Sequence, residues 1–124
     1  MRRVYADQSI YGEYSEVIPK DEIERALRKA SRHIDSLTYN RIVGIGFENL
    51  TQFQQKVIEE CVCELADFEY VNQELIDSVL QEYSINGTSM KFGESWNISV
   101  ENGIAIRREI YELLKQTGLC CRRL

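Results

Sequence analysis

The side chains that could do chemistry are four cysteines, one histidine and several paired acids, and their spacing speaks against most reactions. Cys61 and Cys63 form a Cys-x-Cys, Cys120 and Cys121 are adjacent, and there is no Cys-x-x-Cys. Positions two apart on a helix point in different directions, so Cys61 and Cys63 do not easily share a metal. With the cytoplasmic setting expected below, reduced thiols are favoured, Cys61 in the core and Cys63 nearer the surface, with a structural zinc or a disulfide as alternatives. His33 stands outside any motif, and a Cys–His pair or a metal site would need it to converge with a distant cysteine. It reads as a surface residue off the apolar stripe. Glu59-Glu60, or Glu22 with Glu24, could be imagined as acid/base pairs, but a solvated helix face explains them. Gly44-Ile45-Gly46 lacks both the preceding strand and the Gly-Lys-Ser/Thr of a phosphate loop. No nucleophile elbow, zinc-protease helix or kinase signature is present. The expectation is a protein that is not an enzyme and holds no cofactor or metal.

The elements that would position these residues are mostly helices. Pro19 precedes Lys20-Asp21-Glu22, a proline and acids suited to a helix start. Ile23, Leu27, Ala30, Ile34 and Leu37 then recur at spacings of three and four, predicting a first helix over about 21–39. Asn40 to Asn49, with Gly44 and Gly46, reads as a loop. Thr51-Gln52-Phe53-Gln54 fits a capping box. Phe53, Val57, Ile58, Cys61, Val62, Leu65 and Phe68 carry a second helix to about Tyr70, the best candidate for the central one. From Val71 to Leu80 a short helix and a loop are both tenable.

Tyr83-Ser84-Ile85 and Met90-Lys91-Phe92 alternate apolar with polar around Asn86-Gly87. Asn-Gly tolerates the positive φ angles of a tight turn, so a β-hairpin is expected over about 82–92. A lone hairpin is marginal in water; this one reads as an assembly element, with Ile85, Asn86, Gly87 and the loop residue Trp96 as candidate contacts in a ring or with a partner. A third helix is expected over about 103–117, with Ile106, Ile110, Leu113 and Leu114 on one face and Gly118 ending it. The fold class is mainly α: a small bundle of three main helices with one β-hairpin. Ile23, Leu27, Ile34, Val57, Cys61, Leu65, Ile110 and Leu113 should form its core.

At 124 residues, 44% hydrophobic and 28% charged, the chain reads as one ordinary soluble domain over 1–124. No apolar run approaches the roughly 18 residues needed to span a membrane. Two arginines near the N-terminus are followed by no apolar stretch, so a secretory signal is not expected and a cytoplasmic setting is. The net charge of −5 makes general affinity for nucleic acid unexpected; an acidic protein could still line a passage that DNA slides through. Tyr5, Tyr11 and Tyr14 ahead of the first helix, and Trp96, either cover the core or present an interface. Beyond Gly118, Leu119 and Leu124 could anchor on a partner while Arg122 and Arg123 pair with its carboxylates, which makes 117–124 a candidate docking tail.

Four stretches resemble the head–tail connector proteins of long-tailed bacteriophages and prophages, also called adaptor or head-completion proteins. They are Tyr5-Ala6-Asp7 with Tyr11-Gly12; Ala30-Ser31-x-x-Ile34-Asp35-Ser36-Leu37-Thr38-Tyr39-Asn40-Arg41-Ile42; Leu50-Thr51-x-x-Gln54; and Tyr83-Ser84-Ile85-Asn86-Gly87, Gly103-Ile104 and Tyr111-x-Leu113-Leu114-x-x-Thr117-Gly118-Leu119. Together they span nearly the whole chain in the family's order. One departure is the end, where relatives often place an aromatic and a glycine around the last arginine and this chain has Cys120-Cys121-Arg122-Arg123.

The resemblance implies a structural virion protein at the head–tail interface, assembled in the bacterial cytoplasm. Its chains would form a ring, usually dodecameric, beneath the portal protein, extending the DNA channel and offering a platform to the stopper or tail-completion protein. Passing DNA would be contacted only non-specifically, with no membrane partner. The alternative is a small helical DNA-binding or regulatory adaptor. Its tight helix-turn-helix is disfavoured by the acidic charge and by the long connection between the first two helices.

Overall fold

The computed structural model describes residues 4–86, 98–101 and 103–120. Among them the chain is mainly α-helical, with helices α1 (Gln8–Tyr14), α2 (Lys20–Leu37), α3 (Arg41–Ile45), α4 (Gln52–Val71), α5 (Gln73–Asn86) and α6 (Arg108–Lys115). A 3-10 turn covers Phe47–Asn49, and strands β1 (Ile98–Glu101) and β2 (Ile104–Arg107) pair antiparallel.

Helix α4 begins where the capping box predicts. Thr51 Oγ1 accepts from the Gln54 amide at 3.1 Å, and Gln54 Oε1 accepts from the Thr51 amide at 3.0 Å, so two otherwise unpaired donors are satisfied reciprocally. Its apolar residues are not confined to one stripe. Ile58, Cys61, Val62 and Leu65 are all 0% exposed, and Cys63, Ala66 and Phe68 are buried as well. A helix buried on this many sides must lie inside the others, and α4 touches α1, α2, α5, α6 and β2.

Helix α2 supplies the largest of these faces. Pro19 is its N-cap residue, Asp21 and Glu22 fill its first turn, and Ile23, Leu27, Ala30, Ile34 and Leu37 are buried. Of the eight core residues expected from the sequence, seven are buried and Leu113 is half-buried against the same cluster.

The hairpin differs from the expectation. Tyr83, Ser84, Ile85 and Asn86 belong to α5, not to a strand, while Gly87 and Met90-Lys91-Phe92 lie outside the described residues. The chain carries a second Asn-Gly at 102–103, and the two described strands lie on either side of it in sequence. Glu101 pairs with Ile104 and Ile98 with Arg107, and Gly103 takes φ +78, which a side chain would resist. Asn-Gly is as good a helix stop as a turn, so its presence at 86–87 did not discriminate. Ile98, Val100, Ile104, Ala105 and Ile106 are buried, and this apolar content places the strands on the helices.

The expected third helix is correspondingly shorter. Ile104 to Arg107 are strand, Ile106 included, and α6 starts directly at Arg108. The ambiguous stretch 71–80 is helical, mostly in α5, and the expected loop 40–49 holds α3 and the 3-10 turn.

Leu65 has no solvent-exposed surface. Leu65→Ala should therefore destabilise the protein by about 2–5 kcal/mol, as cavity-forming core truncations do. A urea titration with an unchanged midpoint would remove α4 from the centre of the fold.

Candidate interaction surface

The end of α2 is tied down by polar groups rather than simply stopped. Thr38, fully buried, donates its hydroxyl to Ile34 O at 2.9 Å. Tyr39 and Asn40 then both adopt left-handed backbone, φ 56 and 59. Asn tolerates this region, whereas for Tyr it costs about 1–2 kcal/mol. The reversal lets the Asn40 amide reach Asp35 O at 2.8 Å and turns the chain into α3.

The N-terminal segment closes over the same corner. The Tyr5 amide donates to Ser31 Oγ at 3.1 Å, the Tyr5 hydroxyl donates to Asp35 Oδ1, and the Tyr5 ring stacks on Phe47 with centroids 5.2 Å apart. Ser31 and Asp35 lie on the otherwise apolar face of α2, so Tyr5 supplies hydrogen bonds that buried polar groups require. Tyr5 and Tyr11 are core residues, while Tyr14 is 42% exposed.

The end of the described chain docks beside this corner. Gly118 takes φ +76 after α6, as a residue that reverses a helix end should. Thr117, Leu119 and Cys120 are nevertheless buried. Arg41 Nη1 donates to Leu119 O at 2.9 Å, and Gln54 Nε2 donates to Thr117 O at 3.0 Å. The first part of the expected docking tail thus belongs to the body: Leu119 anchors on its own chain. Gly118 is exposed between them. Arg122, Arg123 and Leu124 lie outside the described residues, as do Gly87 and Trp96, while Ile85 and Asn86 close α5.

Exposed apolar side chains flank these two anchors in sequence. Val43 and Ile45 follow Arg41 in α3, and Phe53 precedes Gln54; they are 57%, 46% and 58% exposed. Neither α3 nor its outward face was anticipated, because the two glycines there masked a short helical turn.

Elsewhere the electrostatics correct two expectations. Cys63 is as buried as Cys61, because α1, unforeseen in the sequence, packs on that side of α4. Tyr11 fixes α1 there: its hydroxyl donates to Asp67 and accepts from the Ile18 amide at 3.1 Å. Burial pushes the Cys63 thiol up to about 12 and the Cys61 thiol higher still, with nearby acids adding to both. His33 is half-buried rather than fully exposed; its side chain is 28% accessible, and Nδ1 bonds Glu69 Oε2 across the α2–α4 interface. Glu24 pairs with exposed Arg28 at 3.1 Å, and Glu22 accepts from the Tyr70 hydroxyl at 2.7 Å. Burial raises the Glu59 carboxyl.

No family model, curated protein or solved structure matches the chain. Among the described residues, no three His, Cys, Asp or Glu side chains are grouped to hold a metal ion, and no helix is long and apolar enough to cross a membrane. At the corner, Gln54 is legible locally as half of the capping box, but the long-range partners of Tyr5, Asp35, Arg41 and Gln54 are not. They are found only once the chain is folded, since each bonds a residue far away in sequence.

A thiolate is the form that alkylating reagents attack. Cys61 and Cys63, buried and with raised pKa, should therefore resist iodoacetamide at pH 8 in the native protein and react fully in urea. Peptide mass spectrometry separates the four cysteines, and rapid native labelling of Cys63 would show that α1 does not cover it.

Proposed function

We propose that this chain is a head–tail connector of a long-tailed phage or prophage. In this reading it is a non-enzymatic ring subunit that binds the portal protein, extends the DNA channel and receives a stopper or tail-completion protein. One observation carries the reading: three of the four stretches that resemble this family, and the end of the fourth, meet at one corner. Tyr5 bonds Ser31 and Asp35, Arg41 of the same second stretch bonds Leu119, and Gln54 of the third bonds Thr117. Stretches scattered over the sequence thus form one hydrogen-bonded unit.

Other features support the same reading. Val43, Ile45 and Phe53, next in sequence to the two anchors Arg41 and Gln54, are exposed, an apolar surface suited to protein contact. Arg122 and Arg123 are placed in sequence to pair with portal carboxylates. The net charge of −5 suits a channel wall that repels DNA weakly and does not grip it. A helix-turn-helix regulator fits less well, because α3 and a 3-10 turn separate α2 from α4 and a tight turn is required.

The test is to mix purified protein with the portal ring of the same phage or prophage and image the product. The expected result is an added ring of density on the portal. Truncation after Cys120 removes only Cys121 to Leu124, so the shortened chain should stay folded and helical but fail to join portal-bearing heads. Efficient joining by the truncated protein would move the contact to Val43, Ile45 and Phe53. Portal rings left bare by the full chain, together with nanomolar duplex binding at physiological salt, would overturn the connector reading and favour the regulator.

A further inference from the structure

Glu69 is the one acidic residue on the buried side of α4, 8% exposed. Its Oε2 bonds His33 Nδ1, but Oε1 has no hydrogen-bond partner among the described residues. A buried carboxylate oxygen left without a donor is unfavourable, and buried charges in folded proteins are paired. Glu69 lines a cleft of about 150 Å³ formed where α2, α4, α5 and the hairpin meet. Ile76 and Leu80 of α5 and Ile104 and Ala105 of β2 give it apolar walls. Its polar groups are Glu69, His33, Asp77 and Gln73, with Lys29 from α2 also on the lining.

We propose that this cleft receives an alkylguanidinium group, the arginine side chain of a partner protein. Apolar walls suit the methylene stem of such a side chain. The lining also offers two carboxylates, Glu69 on α4 and Asp77 on α5. A guanidinium carries five donors in a planar fork, so a single head has donors enough for both carboxylates. It is also more weakly hydrated than an ammonium and enters a largely buried site more readily. Lys29 is the internal competitor: a flexible, exposed cation that lines this cleft and the neighbouring one between α2 and α4. The assignment rests on Glu69 and the cleft, and stands apart from the ring reading.

The probe is arginine capped at both ends, N-acetyl-arginine N-methylamide, titrated into ¹⁵N-labelled full-length protein. Saturable shifts are expected at the amides of Gln73, Asp77 and Gly103. The capped citrulline counterpart, of the same shape without the charge, should leave them unmoved. Glu69→Gln should weaken binding by about tenfold or more, the factor expected for losing a buried charged hydrogen bond. If that variant does not fold, the exposed Asp77→Asn decides, with a several-fold loss expected. Lys29→Ala should tighten binding by removing the competitor. An equal response to citrulline, an affinity unchanged in folded Glu69→Gln, or binding lost in Lys29→Ala overturns the proposal.

Discussion

The burial of α4 is the constraint on which the rest of the structure depends. Four of its side chains, Ile58, Cys61, Val62 and Leu65, have no exposed surface. A helix of this length is about 30 Å long, and enclosing it takes more than the two other long helices. The remaining sides are closed by α1, the hairpin and α6, short elements that would not be stable alone. Their stability is borrowed from the apolar surface that α4 presents to them, at roughly 25 cal/mol per Å² buried.

Placing so many short pieces around one helix leaves ends that need partners, and polar side chains supply them. Tyr11 bonds Asp67 from α1, His33 bonds Glu69 from α2, and Gln54 and Arg41 hold the carbonyls after α6. These bonds fix orientation more than they add stability, because each replaces hydrogen bonds to water. They decide how these elements are seated around α4. The proposed connector reading draws on such bonds, which join the family-like stretches at one corner.

What was legible in the sequence was whatever is encoded locally. The stripe of Ile23, Leu27, Ala30, Ile34 and Leu37 located α2, and Thr51 with Gln54 located the start of α4. Asn86-Gly87 misled because the same dipeptide serves helix ends and hairpins alike; the pair at 102–103 is flanked by Ile98, Val100, Ile104 and Ile106, whose burial decides the matter. α1 was missed because seven residues carry too short a period to register, and with it the cover over Cys63. At the candidate surface, Thr117 and Leu119 were visible as tail residues, but their burial was not. It arises from Arg41 and Gln54, which lie 78 and 63 residues away from the carbonyls they bind.

The central claim, that one enclosed helix organises the whole chain, is tested most directly by native-state amide hydrogen exchange. Segments protected only by local structure exchange through partial openings, whereas a shared core exchanges only on global unfolding. The account predicts that the amides of Ile58, Val62 and Leu65 are the slowest in the protein, with an exchange free energy equal to that of unfolding in urea. Exchange of these amides through a cheaper opening, while the Ala30 to Leu37 stretch of α2 stays protected, would contradict it.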